Sequence, residues 1–276
     1  MNDVWMTRPL WFVNLLKKLF PNVKIIAKLT NLPGFGSIID YFLFKGDDLI
    51  YLPHDKVIDI NEPLGEYQEY VLPSQVLEYF INKAKYHWIM DFCICRSSMD
   101  CKDYPTDLGC LFLGDAVLDI NPELGRLATK EQALEHLRKC REVGLVQMIG
   151  KNKLDAQWLG VGPGEKLLTI CNCDPCCCLW RVSSFLTPKI GSKIKKMPGL
   201  VVRVSEKCIG CGTCLKDICF VGAISLKDDR AIISNQCRGC GRCVSICPQN
   251  AIELIIEDKK YIEKSIHELD KIIDIS

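Results

Sequence analysis

Between Cys208 and Pro248 the chain reads Cys208-x-x-Cys211-x-x-Cys214-x-x-x-x-Cys219, then Cys237-x-x-Cys240-x-x-Cys243-x-x-x-Cys247-Pro248. Eight thiols grouped four and four point to soft-metal chemistry, because iron–sulfur clusters are held by thiolates and a cubane takes four. The two-residue gaps let three successive cysteines wrap one cluster while the fourth comes from elsewhere. Gly210, Gly212, Gly239 and Gly241 lie in those gaps, where the backbone must curl closely round inorganic sulfide. Two other chemistries compete. Zinc sites usually space two Cys-x-x-Cys pairs well apart, and a disulfide framework needs an oxidising compartment.

This stretch resembles the two-cluster bacterial-type ferredoxins over residues 200–256. The resemblance implies two [4Fe-4S] clusters with crossed ligand sets, the last cysteine of each run serving the other cluster. One cluster then takes Cys208, Cys211, Cys214 and Cys247, and the other takes Cys237, Cys240, Cys243 and Cys219. The second run matches the family pattern through Cys247-Pro248. The first departs from it: one extra residue precedes Cys219, and Phe220 stands where the family has proline. An internal repeat underlies the pattern. Cys208, Cys211 and Cys214 recur 29 positions later, and Gly222-Ala223-Ile224 recurs 28 positions later as Asn250-Ala251-Ile252. Each half offers a short strand (Val201–Val204 or Ala231–Ile233), a ligand loop, a short helix and a return strand.

A second constellation precedes this one: Cys93, Cys95, Cys101, Cys110, Cys171, Cys173, Cys176, Cys177 and Cys178. Residues i and i+2 of a strand face one side, about 7 Å apart. Read as strand ends, Cys93 with Cys95 and Cys171 with Cys173 each give a two-thiolate edge, and neighbouring strands would line one wall with four sulfurs. Asp174-Pro175 reads as a helix start that places Cys176, Cys177 and Cys178 in the first turn, where the dipole lowers thiol pKa. Nine thiols exceed what packing or one structural zinc requires, so a further iron–sulfur centre is expected, with zinc as the alternative. Some of the nine can be buried structural thiols. Cys140 sits on an apolar helix face and reads as packing. Arg96 reads as a structural hydrogen-bonding residue, with anion orientation or cluster tuning as the alternative. The pattern Cys-x-Cys-Arg followed by Cys-Asn-Cys-x-x-Cys-Cys-Cys is similar to a cysteine-rich domain fused to ferredoxins in iron–sulfur proteins of strict anaerobes, methanogens included. That resemblance covers residues 48–180 and implies cofactor content rather than a reaction.

The positioning elements follow from periodicity. Residues 1–45 read as helical, with Trp5, Leu10, Trp11, Phe12, Leu15, Leu16, Leu19 and Phe20 on a broad apolar face that docks on the core. An interfacial membrane anchor with Lys17 and Lys18 at the headgroups is the minor alternative. Asp48–Leu52 and Lys56–Ile60 read as a hairpin round Pro53-His54-Asp55, followed by a helix from Pro73 to Lys85 and a buried strand from His87 to Cys95. Thr129-x-x-Gln132 opens a helix ending at Gly144 as a capping box. Strands Leu145–Ile149 and Lys166–Cys173 then flank a hairpin tip at Gly160–Lys166, a winged-helix-like order. The tip lacks the Gly-Lys-Ser/Thr ending of a phosphate loop. Residues 181–199 carry five basic side chains and no acidic one. They read as a basic linker, with docking of an acidic redox partner as a further use. Glu257–Ile273 reads as an amphipathic helix.

Composition bounds the rest. At 276 residues with 48% apolar content the chain suits two or three packed domains, and a net charge of +1 argues against nucleic acid as partner. No secretory leader and no 18-residue apolar run are found, so eighteen cysteines point to metal chemistry in a reducing cytoplasm and an anaerobic host. Neither a radical-SAM Cys-x-x-x-Cys-x-x-Cys, nor a Cys-Cys-Gly of heterodisulfide-reductase type, nor a dinucleotide fingerprint occurs. The expected fold is α+β: a helical extension (1–47), a cysteine-rich α/β domain (48–180), the linker (181–199), a dicluster ferredoxin domain (200–256) and a terminal helix (257–276). The expected function is an iron–sulfur electron-transfer protein that works with a redox protein partner. The alternatives are a ferredoxin-fed oxidoreductase acting on a small substrate, and a cluster or metal assembly protein. Catalytic residues and oligomeric state are left open.

Overall fold

The computed structural model describes residues 7–55, 58–59 and 72–276. Trp5, Lys56 and Ile60, used above, lie outside the described residues. The chain opens with α1 (Leu10–Leu19), α2 (Val23–Leu29) and α3 (Phe35–Ile39), the last running into a π-helical turn over Asp40–Phe44. Next come β1 (Asp48–Leu52), β2 (Ile58–Asp59), α4 (Ser74–Lys83), β3 (His87–Met90), α5 (Ile94–Ser98), β4 (Leu111–Leu113) and β5 (Gly125–Ala128). They are followed by α6 (Lys130–Glu142), β6 (Val146–Lys151), α7 (Lys153–Leu159), β7 (Leu168–Cys173), α8 (Pro188–Gly191) and β8 (Ile194–Lys196). The last part holds β9 (Leu200–Val204), β10 (Ile224–Lys227), β11 (Arg230–Ile233), α9 (Arg242–Ile246), β12 (Ile252–Ile256) and α10 (Tyr261–Asp270). The fold is mixed α/β.

Seven strands form one sheet in the order β5-β3-β4-β7-β6-β1-β8. Its pairs are antiparallel except β1 with β8. The period of two divides the side chains between two cores. Ile50, Leu52, Ile89, Leu111, Leu113, Ile149, Leu168 and Ile170 face one way, where α4, α6 and α10 pack. Leu49, Tyr51, Val146, Met148, Cys171 and Cys173 face the other way. The carboxy-terminal part, from β9 onward, contributes to both cores: Leu200, Leu254, Tyr261 and Leu269 join the first, and Phe220, Val221 and Ala223 the second.

Several expectations are corrected. Among the described residues β1 forms no hairpin with β2, because both of its edges are taken and it is an inner strand of the sheet. It pairs with β6 and β8, while β2 pairs with β12. The strand expected over His87–Cys95 stops at Met90. Cys93 N–H bonds Thr106 O at 2.7 Å, and the chain turns there into α5. The connection between β6 and β7 is not a simple wing, since α7 fills it. Asn152 caps that helix by accepting from Leu154 N–H at 3.2 Å, and Gly160 closes it in the left-handed region at φ 71°.

The stretch expected as a linker is folded and its charges are used internally. β8 completes the sheet edge, Lys189 and Lys193 both pair with the buried Asp40, and Lys195 meets Asp48 at 2.6 Å. The capping box at Thr129 and Gln132 is present, each side chain bonding the other residue's backbone N–H. Thr129→Ala is expected to lower unfolding stability by about 0.5–2 kcal/mol, read from the urea midpoint at unchanged slope.

Candidate functional site

The carboxy-terminal part, from β9 to β12, shows how a sequence repeat becomes paired sites. β9 of the first half pairs with β12 of the second, and β10 of the first with β11 of the second. The exchange brings Cys208, Cys211 and Cys214 together with Cys247 round a cavity of about 20 Å³. Cys237, Cys240 and Cys243 gather with Cys219 round another of the same size. Backbone N–H groups point at the sulfurs: Ala223 donates to Cys219 Sγ at 3.1 Å, and Ala251 to Cys247 Sγ at 3.2 Å. These two bonds are repeat-equivalents. Gly210 and Gly239 have φ of 67° and 64°, and a side chain at Gly210 would strike the Asp229 carbonyl. Soft donors aimed inward and N–H groups turned to sulfur fit a cubane at each site.

Residues 216–257 match the family model described as the LdpA Fe-S cluster-binding domain. The match spans Cys219, Cys237, Cys240, Cys243 and Cys247, and it supports an iron–sulfur cofactor here. Comparison with curated proteins and with solved structures gave no match.

The larger feature lies on the second face of the sheet. A cavity of about 310 Å³ is lined by six of the nine other cysteines: Cys93, Cys95, Cys110, Cys171, Cys173 and Cys178. β7 delivers Cys171 and Cys173 on one face as its period requires. Cys110 enters just before β4, its sulfur 3.9 Å from that of Cys171. Cys93 and Cys95 arrive from the start of α5 rather than from a strand edge, and β4 separates β3 from β7. The roof is apolar, with Leu16, Phe20, Ile26, Phe44, Trp158 and Trp180 among its residues. The amino-terminal helices thus cover the sulfurs with one side, Leu19 included, and leave Trp11 and Leu15 exposed on the other. Lys17 lies over the Phe92 ring at 3.6 Å. No helix among the described residues is long and apolar enough to cross a membrane.

Hydrogen bonds polarise the thiols. Cys173 accepts from Cys171 and Cys178, and Tyr51 Oη reaches it at 3.6 Å, holding it well below the usual thiol range. A bond from Cys95 lowers Cys93 likewise. The expected helix at Cys176–Cys178 does not form, and its thiols are not acidified. Asp174 Oδ1 accepts from the N–H of Cys176, Cys177 and Cys178 and locks a turn, after which a 3-10 helix begins at Leu179. Burial pushes Cys177 up to about 12 and Cys176 higher still, with Asp174 adding to the rise in both. The turn splays the triplet: Cys178 faces the cavity, while Cys176 and Cys177 join Cys101 outside it.

Arg96 is fully buried and structural. It donates to Pro105 O at 2.7 Å, Asn172 O at 2.8 Å and Leu108 O, and pairs with Asp174 Oδ2 at 3.4 Å. Its guanidinium therefore pins the loop carrying Cys110 to the end of β7. Cys140 is buried beside His136 Nε2 at 3.7 Å, away from every cavity described. Cys140→Ala is expected to leave iron and sulfide content unchanged, checked by elemental analysis of the full chain.

The roles of three residues of this region escaped the sequence reading. Phe220, the departure from the ferredoxin pattern, packs against Tyr51 with ring centroids 4.7 Å apart. The contact sequence Cys219–Phe220–Tyr51–Cys173 thus joins the second ferredoxin quartet to the cavity. Arg242, inside the second cysteine run, donates to Cys173 O across the same boundary. Asp155 lines the cavity, bonded by Asn152 Nδ2 at 2.6 Å and Trp158 Nε1 at 2.8 Å, and burial raises its pKa. Only the Phe220 substitution left a visible signal.

Proposed function

We propose that the chain is an iron–sulfur electron-transfer protein in which two [4Fe-4S] sites of the ferredoxin half communicate with a third, thiol-held centre in the large cavity. The bound clusters would supply low-potential one-electron chemistry. Cys208, Cys211, Cys214 and Cys247 hold the first, and Cys237, Cys240, Cys243 and Cys219 the second. Ligands of the third come from Cys93, Cys95, Cys110, Cys171, Cys173 and Cys178. The observation that carries this reading is the contact from Cys219 through Phe220 and Tyr51 to Cys173, which leaves no solvent gap between the second quartet and the cavity. At the opposite end Cys211 and Ile209 are exposed, so a redox protein partner docks beside the first quartet. A reducing cytoplasm suits this use of cysteine. Paired replacement Cys171→Ser with Cys173→Ser tests the reading in the full chain. Iron beyond the ferredoxin complement should disappear, while the EPR signals of the two ferredoxin sites persist. Unchanged iron would reject the cavity centre.

A second reading is favoured by one observation. The cavity has about 310 Å³ against about 20 Å³ at each ferredoxin site. A ferredoxin-fed oxidoreductase would place a small apolar substrate there, beside Asp155, whose carboxyl is shifted upward by burial.

A further inference from the structure

Cys101, Cys176 and Cys177 stand apart from the cavity and its six thiols. The sulfur of Cys176 lies 3.6 Å from that of Cys101 and 3.6 Å from that of Cys177, and all three lie within 4.8 Å of one another. We infer that this trio is a separate site for a single thiophilic divalent cation, zinc above all, bound by three thiolates with its fourth position open to solvent.

The spacing decides between chemistries. A tetrahedral zinc with bonds of about 2.3 Å sets its sulfurs about 3.8 Å apart, and the trio already stands close to that. A cubane places each thiolate on a different iron, which requires wider separation. All three are free thiols, and a disulfide between any two would need an oxidant to draw their sulfurs to about 2.0 Å. The site is also built in advance of any ion. Asp174 fixes the turn that carries Cys176 and Cys177 by accepting their N–H groups, and Arg181 donates to the carbonyl of Cys176. Cys101 N–H is bound to Arg96 O at 3.0 Å, and Arg96 is paired with Asp174. Both arms of the trio therefore rest on one buried ion pair. Cys101 and Cys176 are half-buried, so an ion has an entry path.

Such an ion would tie the loop of Cys101 and Cys110 to the turn of Cys178, closing from outside the wall that two cavity thiols line. It accounts for three of the nine thiols without a cluster. The test uses full-length protein purified without oxygen. One zinc per chain is expected beside the iron, and cobalt(II) in its place should give visible sulfur-to-metal charge-transfer bands. Cys101→Ser and Cys177→Ser should each abolish the zinc and the cobalt bands while iron, sulfide and EPR signals stay unchanged. Loss of iron and sulfide in either variant would put the trio on a cluster and overturn the assignment. So would zinc retained in both variants, or wild-type protein without zinc and with no cobalt bands.

Discussion

Cys237→Ser is expected to remove or convert one ferredoxin cluster and, in the same protein, to isolate the cavity centre from reduction. Cys208→Ser is expected to lose its own cluster and leave the cavity centre reducible. The asymmetry follows from packing. Cys219, Cys237 and Cys240 pack in one apolar cluster with Cys173 and Cys178, whereas Cys208, Cys214 and Cys247 pack in a separate one with Ala231 and Ile252, which Cys243 joins from the second quartet. Rapid-freeze EPR after mixing each variant with a low-potential reductant separates the outcomes. Equal behaviour of the two variants would show that the second quartet is not the route to the cavity.

The second large effect is on stability. Arg96→Met should destabilise the chain by about 3–5 kcal/mol, because removing one partner of a buried ion pair leaves Asp174 charged and uncompensated. Three backbone carbonyls lose their donors as well. Arg96→Lys should recover little, since an ammonium cannot reproduce the planar fork that reaches Pro105, Asn172 and Leu108 together. Denaturant unfolding under anaerobic conditions measures both. A loss below about 1 kcal/mol for Arg96→Met, the range of surface pairs, would show that the guanidinium is not the pin described here.

What could be read from sequence and what could not differ for physical reasons. The gathering of Cys208 to Cys247 into two quartets was legible because short covalent spacings hold three cysteines of each run together, and glycines able to take positive φ stand between them. Cys171 and Cys173 were legible because a strand's period of two is fixed by its backbone. Cys93 and Cys95 carried the same spacing, yet β3 ended earlier and a helix delivered them by another route to the same cavity. The triplet Cys176–Cys178 misled because Asp174 looks like a helix cap. It does accept those N–H groups, but the turn stops there. Phe220 was visible as a departure from the ferredoxin pattern, but its meaning rests on Tyr51, 169 positions away in the chain. The stretch 181–199 looked like a linker because its lysines face no acid nearby in sequence. Their partners Asp40 and Asp48 come from the amino-terminal end. For the same reason the two halves are not separable pieces: Leu200, Tyr261 and Leu269 complete the core under α4 and the sheet.

The most direct test of a third thiol-held centre is the iron and acid-labile sulfide content of the full chain, taken anaerobically and alongside Cys173→Ser with Cys178→Ser. The account predicts more than about eight irons per chain, the total of two cubanes, with the excess lost in the double variant and both ferredoxin signals kept. About eight irons in wild type and variant alike would contradict it.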